Sequence, residues 1–254
     1  LAAVFKAYDI RGLAPEQLDA DLCAAVGAAF AAFAAEADGA DRVIIARDMR
    51  PTGPVLADAF AEGVTSQGLD VVDVGLGSTD MLYFAAGALD APGAMFTASH
   101  NPAAYNGIKM CHAGARPVGQ DTGLAEVRAV AERILATEAP EATDPDVPTG
   151  SIDERDVLAD YAAFLRGLVD LSGIRPLTVV VDAGNGMAGL TAPAVFGGLP
   201  LTVVPLYFEL DGTFPNHEAN PMKRENIAAL VARVKASGAD LGVAFDGDAD
   251  RCVF

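Results

Sequence analysis

Short apolar strand-like runs alternate with segments of helical periodicity along this chain, and the alternation occurs twice. "RVIIARD" (42–48), "LDVVDVG" (69–75) and "GAMFTAS" (93–99) read as strands. Between and after them "PVLADAFAEGVTSQG", "TDMLYFAAGAL" and "TGLAEVRAVAERIL" read as helices, the first closed by Gly68 and the second opened by Thr79 or Asp80. This rhythm predicts an α/β layer. It is interrupted over 136–151, "ATEAPEATDPDVPTGS", which carries three prolines and several acids and lacks apolar periodicity. It then restarts with a helix over 154–169, strands "LTVVVDAG" and "LTVVPLY", a helix "ENIAALVARVKASG" and a strand "DLGVAF". The expectation is two similar three-layer α/β domains with mixed sheets, over 1–140 and 151–254, joined by a linker at 141–150. A chain of 254 residues is long enough for two such domains.

Charge narrows the partners. With 17 basic and 35 acidic residues the net charge is −18, which repels nucleic acid and anionic membranes. An anionic substrate would need a local island of positive charge. The most apolar run, Leu22 to Ala35, is short for a membrane span, and Leu22, Val26, Phe30 and Phe33 recur at helical spacing, so a buried helix is expected. Three scattered cysteines without a CxxC pair fit a reducing compartment and give no zinc pattern. The N-terminus shows no secretory pattern, and a cytoplasmic location is expected.

Four stretches carry chemistry. In "LGVAFDGDADR" the carboxylates of Asp246, Asp248 and Asp250 crowd the end of a strand. Like charges so close favour a cation among them, and oxygen donors select Mg²⁺ or Ca²⁺. The competing readings are a solvated acidic turn and a haloacid-dehalogenase-type phosphatase with Asp246 as nucleophile. An EF-hand is excluded because Arg251 stands where that loop needs glycine. "VVVDAGNGMAG" satisfies G-x-G-x-x-G through Gly184, Gly186 and Gly189, with Glu209 twenty residues on. A tight strand-to-helix turn explains the same glycines without a dinucleotide, and Asp182 stands where a pyrophosphate would pass.

In "MFTASHNPAAYNGIKM" (95–110), Ser99 reads either as a helix N-cap with Asn101 and Pro102 in the first turn or as a phosphoryl-bearing serine. Lys109 supplies a point charge and, if its pKa is lowered, a proton carrier. The fourth stretch is "FKAYDIRG" with Arg11. In "ARDMRP" nearby, Asp48 is expected to end a strand and pair with an arginine, a structural role.

Taken in order, "FKAYDIRG", "TASHNPAAYNGIKM", "VDAGNGMAG", "DGTFPNHEANP" and "DGDADR" resemble the α-D-phosphohexomutase family across nearly the whole chain. The resemblance implies that Ser99 is the phosphoserine and that Asp246, Asp248 and Asp250 hold one Mg²⁺ together with a phosphoserine oxygen. It implies that Arg251 reaches the transferring phosphoryl, that Lys109 is a general acid/base with His100 in support, and that Tyr8 and Arg11 line the site. The implied reaction interconverts hexose 1- and 6-phosphates of glucose or mannose through a 1,6-bisphosphate. Family members have four domains, so the resemblance covers an N-terminal half, with the sugar-reading third domain and the phosphate-clamping fourth absent. Mg²⁺ binding and Ser99 phosphorylation with little turnover are expected of this half alone.

Overall fold

The structure is a computed structural model that describes residues 1–137 and 148–254. The first sheet takes β1 (Ile10–Leu13), β2 (Arg42–Arg47), β3 (Asp70–Leu76), β4 (Gly93–Phe96), β5 (Tyr105–Cys111) and β6 (Ile152–Glu154), in the order β1-β5-β4-β2-β3-β6. β2 runs parallel to β3 and β4, whereas β5 is antiparallel to both β4 and β1. β2 shows why this sheet has two covered faces. Val43 and Ile45 enter one core with helices α1 (Ala20–Asp38), α2 (Gly53–Ser66) and α4 (Leu124–Ala136). Ile44 and Ala46 enter another with α3 (Thr79–Leu89) and Tyr161 of α5 (Leu158–Gly167). A strand buried on both faces reads as a continuous apolar run, as "VIIA" does.

The expected α1 is 19 residues, and its length and composition alone would suit a membrane span. Its packing decides otherwise for this fold: ten of its residues are buried, Val26 and Phe30 completely. It meets α2 at backbone distance. A Cβ on Gly27 would lie 2.1 Å from the Phe60 carbonyl oxygen, and one on Gly63 2.1 Å from that of Ala24. The Asp19 carboxylate caps its first turn at Leu22 N, and Gly39 closes it in a left-handed conformation.

The second sheet takes β7 (Leu177–Asp182), β8 (Leu201–Leu206), β9 (Leu241–Phe245) and β10 (Cys252–Val253), in the order β10-β9-β7-β8. Val179 and Val181 pack towards α6 (Ala188–Phe196), and Val180 and Ala244 towards α7 (Ala228–Ser237). Each sheet is therefore mixed and covered on both faces, as expected.

Three expectations shift. Residues 151–155 do not open the second domain: β6 pairs in parallel with β3, and the Arg155 amide bonds the Asp73 carbonyl. The helix expected from 154 accordingly starts at Leu158, whose amide is held by the Asp156 carboxylate. The expected linker falls outside the described residues over 141–147, and Gly150 is already tied to Thr65. Finally, α3 is capped by Ser78, one residue earlier than read from sequence, through a bond from the Met81 amide.

Candidate active site

No helix follows Ser99. The chain leaves β4, makes a loop over 97–104 and returns as β5. The N-cap reading gives way because Tyr105–Cys111 is drawn into the sheet beside β4. Ser99 sits in the left-handed region at φ 52°, uncommon for a residue with a Cβ and a mark of local strain at functional positions. Its amide donates to Thr97 Oγ1 at 2.8 Å, and its carbonyl accepts from Arg50 at 3.0 Å. Behind that carbonyl a Cβ on Gly247 would lie at 2.5 Å, so only glycine lets the second domain approach so closely.

The hydroxyl points across the domain boundary. Ser99 Oγ donates to Asp246 Oδ2 at 2.8 Å and accepts from Arg251 Nη2 at 2.6 Å. Arg251 is locked to Asp246: its backbone amide donates to Oδ1, and Nε and Nη2 donate to Oδ2 at 2.9 and 2.7 Å. The Asp246 amide returns a bond to the Arg251 carbonyl, closing the loop between β9 and β10. His100 Nδ1 lies 3.3 Å from Ser99 Oγ and also accepts from Arg251. Burial, with Arg251 and Arg11 nearby, holds its pKa below the ordinary histidine range, so the ring is neutral and able to accept a proton.

Asp246 and Asp248 are fully buried. Oxygens of Asp246, Asp248 and Asp250 lie within 4.8 Å of one another. Lys109 Nζ reaches from β5 to bridge Asp248 Oδ2 and Asp250 Oδ2, each at 2.6 Å. Burial works against its charge, but these carboxylates more than offset that and hold its pKa above the usual lysine range. The condition set for a proton carrier, a lowered pKa, is not met in this arrangement. Asp246 behaves oppositely. Burial and the charges of Asp248 and Asp250 push its pKa up to about 7, against the pull of Arg251 and the Ser99 bond.

The cluster fits a divalent cation. Asp248 Oδ1 and Asp250 Oδ1 are buried yet have no hydrogen-bond partner, which leaves lone pairs free inside a ring of hard oxygen donors. The phosphatase reading, in contrast, needs Asp246 open to in-line attack. Its carboxylate is fully buried and already accepts from Ser99 and three Arg251 donors.

The remaining residues divide. Arg11 bonds the Asn101 side chain at 2.8 Å and pairs with Asp9, so it borders the Ser99 loop. Tyr8 is 82 % exposed with its ring against Gly119, and no hydrogen bond ties it to Ser99. Thr79, at the start of α3, was read only as a helix opener. Its hydroxyl donates to Asp248 Oδ2 at 2.6 Å and its amide to the Asp248 carbonyl at 3.1 Å. Asp48 was expected to end a strand and pair with an arginine, and its partner is Arg50 at 3.2 Å, both side chains fully buried. What sequence missed is that the same guanidinium serves the Ser99 loop; the density of arginines beside a buried aspartate was the only available signal.

The G-x-G-x-x-G turn is structural. The Met187 amide at the start of α6 donates to the Gly247 carbonyl, and Gly189 lies against the Phe208 carbonyl. The helix start is thus filled by the aspartate loop and not left open to a pyrophosphate.

Two α/β domains that share one serine–carboxylate–arginine site have the architecture of the phosphohexomutase class. The chain belongs to the phosphoglucomutase/phosphomannomutase family. Its alpha/beta/alpha domain I profile matches residues 2–138, and its domain II profile matches 159–254. A phosphomannomutase/phosphoglucomutase of Pseudomonas aeruginosa is 41% identical over 98% of this chain and 51% of its own length. A phosphoglucomutase of Neisseria gonorrhoeae is also 41% identical, over 98% of this chain and 52% of its own. A crystal structure of a phosphoglucomutase/phosphomannomutase family protein from Burkholderia thailandensis superposes with a TM-score of 0.85 at 38% identity, covering 99% of this chain and 54% of that one. The chain spans about half the length of the curated relatives it matches.

Proposed function

We propose that these residues form the phosphoryl-carrying part of a hexose-phosphate mutase site. The observation that carries this reading is the Ser99 hydroxyl, buried between Asp246 and Arg251 beside a three-carboxylate cluster. Phosphoryl transfer asks mainly for positioning and charge neutralisation. In the proposed cycle the phosphoryl on Ser99 passes to the free hydroxyl of a glucose or mannose monophosphate, giving a 1,6-bisphosphate. The other phosphoryl then returns to Ser99, so serine and phosphate are both conserved. When Ser99 Oγ is the attacking atom, His100 Nδ1 and Asp246 Oδ2 are the acceptors within reach of its proton. Arg251 Nη2, already at the hydroxyl, would stabilise charge on the transferring group. Lys109, held protonated by Asp248 and Asp250, serves as a counter-charge to the cluster. Asp246, Asp248 and Asp250 would hold one Mg²⁺, which supplies charge neutralisation for the phosphoryl oxygens.

The substrate is thus a phosphorylated hexose. The cations Arg251, Lys109 and Arg11 supply the positive island that a chain of net charge −18 needs for such a ligand. The acidic surface gives nucleic acids and anionic membranes no purchase. Three free cysteines, two of them buried, support a cytoplasmic setting.

The test is phosphorylation of the purified 254-residue chain by glucose 1,6-bisphosphate with Mg²⁺, read by intact mass and peptide mapping. The expected result is one phosphoryl group, on Ser99, and none in Ser99→Ala. Phosphate confined to other residues, or full uptake by Ser99→Ala, would overturn the reading.

A further inference from the structure

Four carbonyls in and just after the loop that presents Ser99 are met by one buried side chain. Arg50 is 1 % exposed. Its Nη2 donates to the carbonyls of Ser99 (3.0 Å) and Asn101 (2.8 Å), and its Nη1 to those of Pro102 and Tyr105 (2.8 Å each). Its Nε and backbone amide are fixed by Asp48. A planar fork of five donors is the one side chain that can span four carbonyls from a single centre.

The other face of Arg50 belongs to the second domain. Its Cζ stands 5.2 Å from the centroid of the Phe214 ring. A Cβ on Gly212 would lie 2.6 Å from Arg50 Cα and 2.8 Å from the Met49 carbonyl oxygen. Phe214 and Gly212 lie in the 209–221 loop, which is itself braced on the strand-to-helix turn by the Asn185–Glu209 and Asn216–Asn185 bonds. Arg50 therefore touches the backbone of the Ser99 loop on one side and a second-domain loop on the other.

We propose that Arg50 is a positioning residue. It holds Ser99 in its left-handed conformation, and it does so with the second-domain loop seated against it. The catalytic consequence rests on the proposed role of Ser99; the positioning does not. A left-handed residue with a Cβ is strained and persists only where its surroundings over-determine it. Here the amide of Ser99 is fixed by Thr97 and the carbonyl by Arg50. Lysine at position 50 keeps the charge but cannot reach four carbonyls, and methyl at position 212 forces two backbones apart.

Arg50→Lys and Gly212→Ala are compared with Val26→Ala, a control that shortens a fully buried side chain of α1 and touches nothing in the site. The first readout is the single-turnover rate of Ser99 phosphorylation by glucose 1,6-bisphosphate. Arg50→Lys is expected to slow the saturated rate by roughly 100-fold with little change in half-saturating concentration. Gly212→Ala is expected to slow it in the same manner, and Val26→Ala to react at the wild-type rate despite its lowered melting temperature. A rate for Arg50→Lys within about twofold of wild type, or an equal loss in Val26→Ala, overturns the inference. The second readout is amide hydrogen exchange. Arg50→Lys should speed exchange over 97–105 while β2 and β4 stay protected; unchanged exchange there overturns the positioning role. If the wild-type chain takes no phosphoryl group, the proposed function fails, and the exchange result alone then decides the positioning.

Discussion

Ser99 and Asp246 are 147 residues apart in sequence and joined by a 2.8 Å hydrogen bond. Neither residue finds this partner within its own sheet: Ser99 leaves β4 of the first and Asp246 follows β9 of the second.

Arg251→Ala removes the donor at Ser99 Oγ and three of the bonds that hold the Asp246 carboxylate and the His100 ring. The rate of Ser99 phosphorylation should fall by roughly 100-fold or more, as for loss of an oxyanion donor. Rapid-quench mass spectrometry reads this directly. The lost side chain also leaves the fully buried Asp246 carboxylate without its ion-pair partner, so the melting temperature should fall as well.

Divalent cation should stabilise the folded chain, because a ligand held only by the native state raises stability by mass action, about 2.7 kcal/mol at a hundredfold excess over Kd. Titrating Mg²⁺ in a thermal-shift assay should raise the melting temperature of the wild type and leave that of Asp248→Asn unmoved. A full shift in Asp248→Asn would remove Asp248 from the ligand set.

Asp246 carries a pH signature. Its folded pKa, raised to about 7, exceeds the ordinary value of 3.8, so between these limits the folded state binds the extra proton. Stability from this group is fully present below the unfolded pKa and is lost as pH rises through the folded one. In EDTA, the urea midpoint should therefore decline from about pH 4 to about pH 7, and Asp246→Asn should flatten that decline. Asp248 has its pKa lowered: burial raises it, but Lys109 and the surrounding donors prevail. Its contribution is lost only at more acid pH, which separates the two.

Gly27→Ala places a methyl 2.1 Å from the Phe60 carbonyl oxygen at the crossing of α1 and α2. Overpacking of this kind costs about 1–3 kcal/mol, and more where backbone must move. Equilibrium urea unfolding measures it. Since the crossing lies in the first domain's core, Ser99 phosphorylation under folding conditions should keep its wild-type rate.

Most of the fold was legible because it rests on local periodicity: "VIIA" and "VVV" are buried on both faces and announce central strands. β6 was not. "IDE" is short, polar and exposed, and its place is set by hydrogen bonding to β3, a partner about eighty residues earlier. The aspartates and Ser99 stood out because crowded charge and an abrupt polar stretch are costly unless used. Arg50 and Thr79 did not, since their work is directed at backbone carbonyls and at a carboxylate from a distant segment. Sequence shows a donor but not its acceptor.

The close approach of Gly247 to the Ser99 carbonyl has a further consequence. A site divided between two sheets of one polypeptide assembles at the effective concentration set by covalent connection, millimolar for a short tether, and needs no affinity beyond that. The contact surface can therefore be small, glycine-lined and specific instead of broad and greasy. Severing the chain between α5 and β7 would leave two halves each with a covered sheet and neither with a reactive serine. They would have to find one another by diffusion across a seam shaped for alignment, not for adhesion.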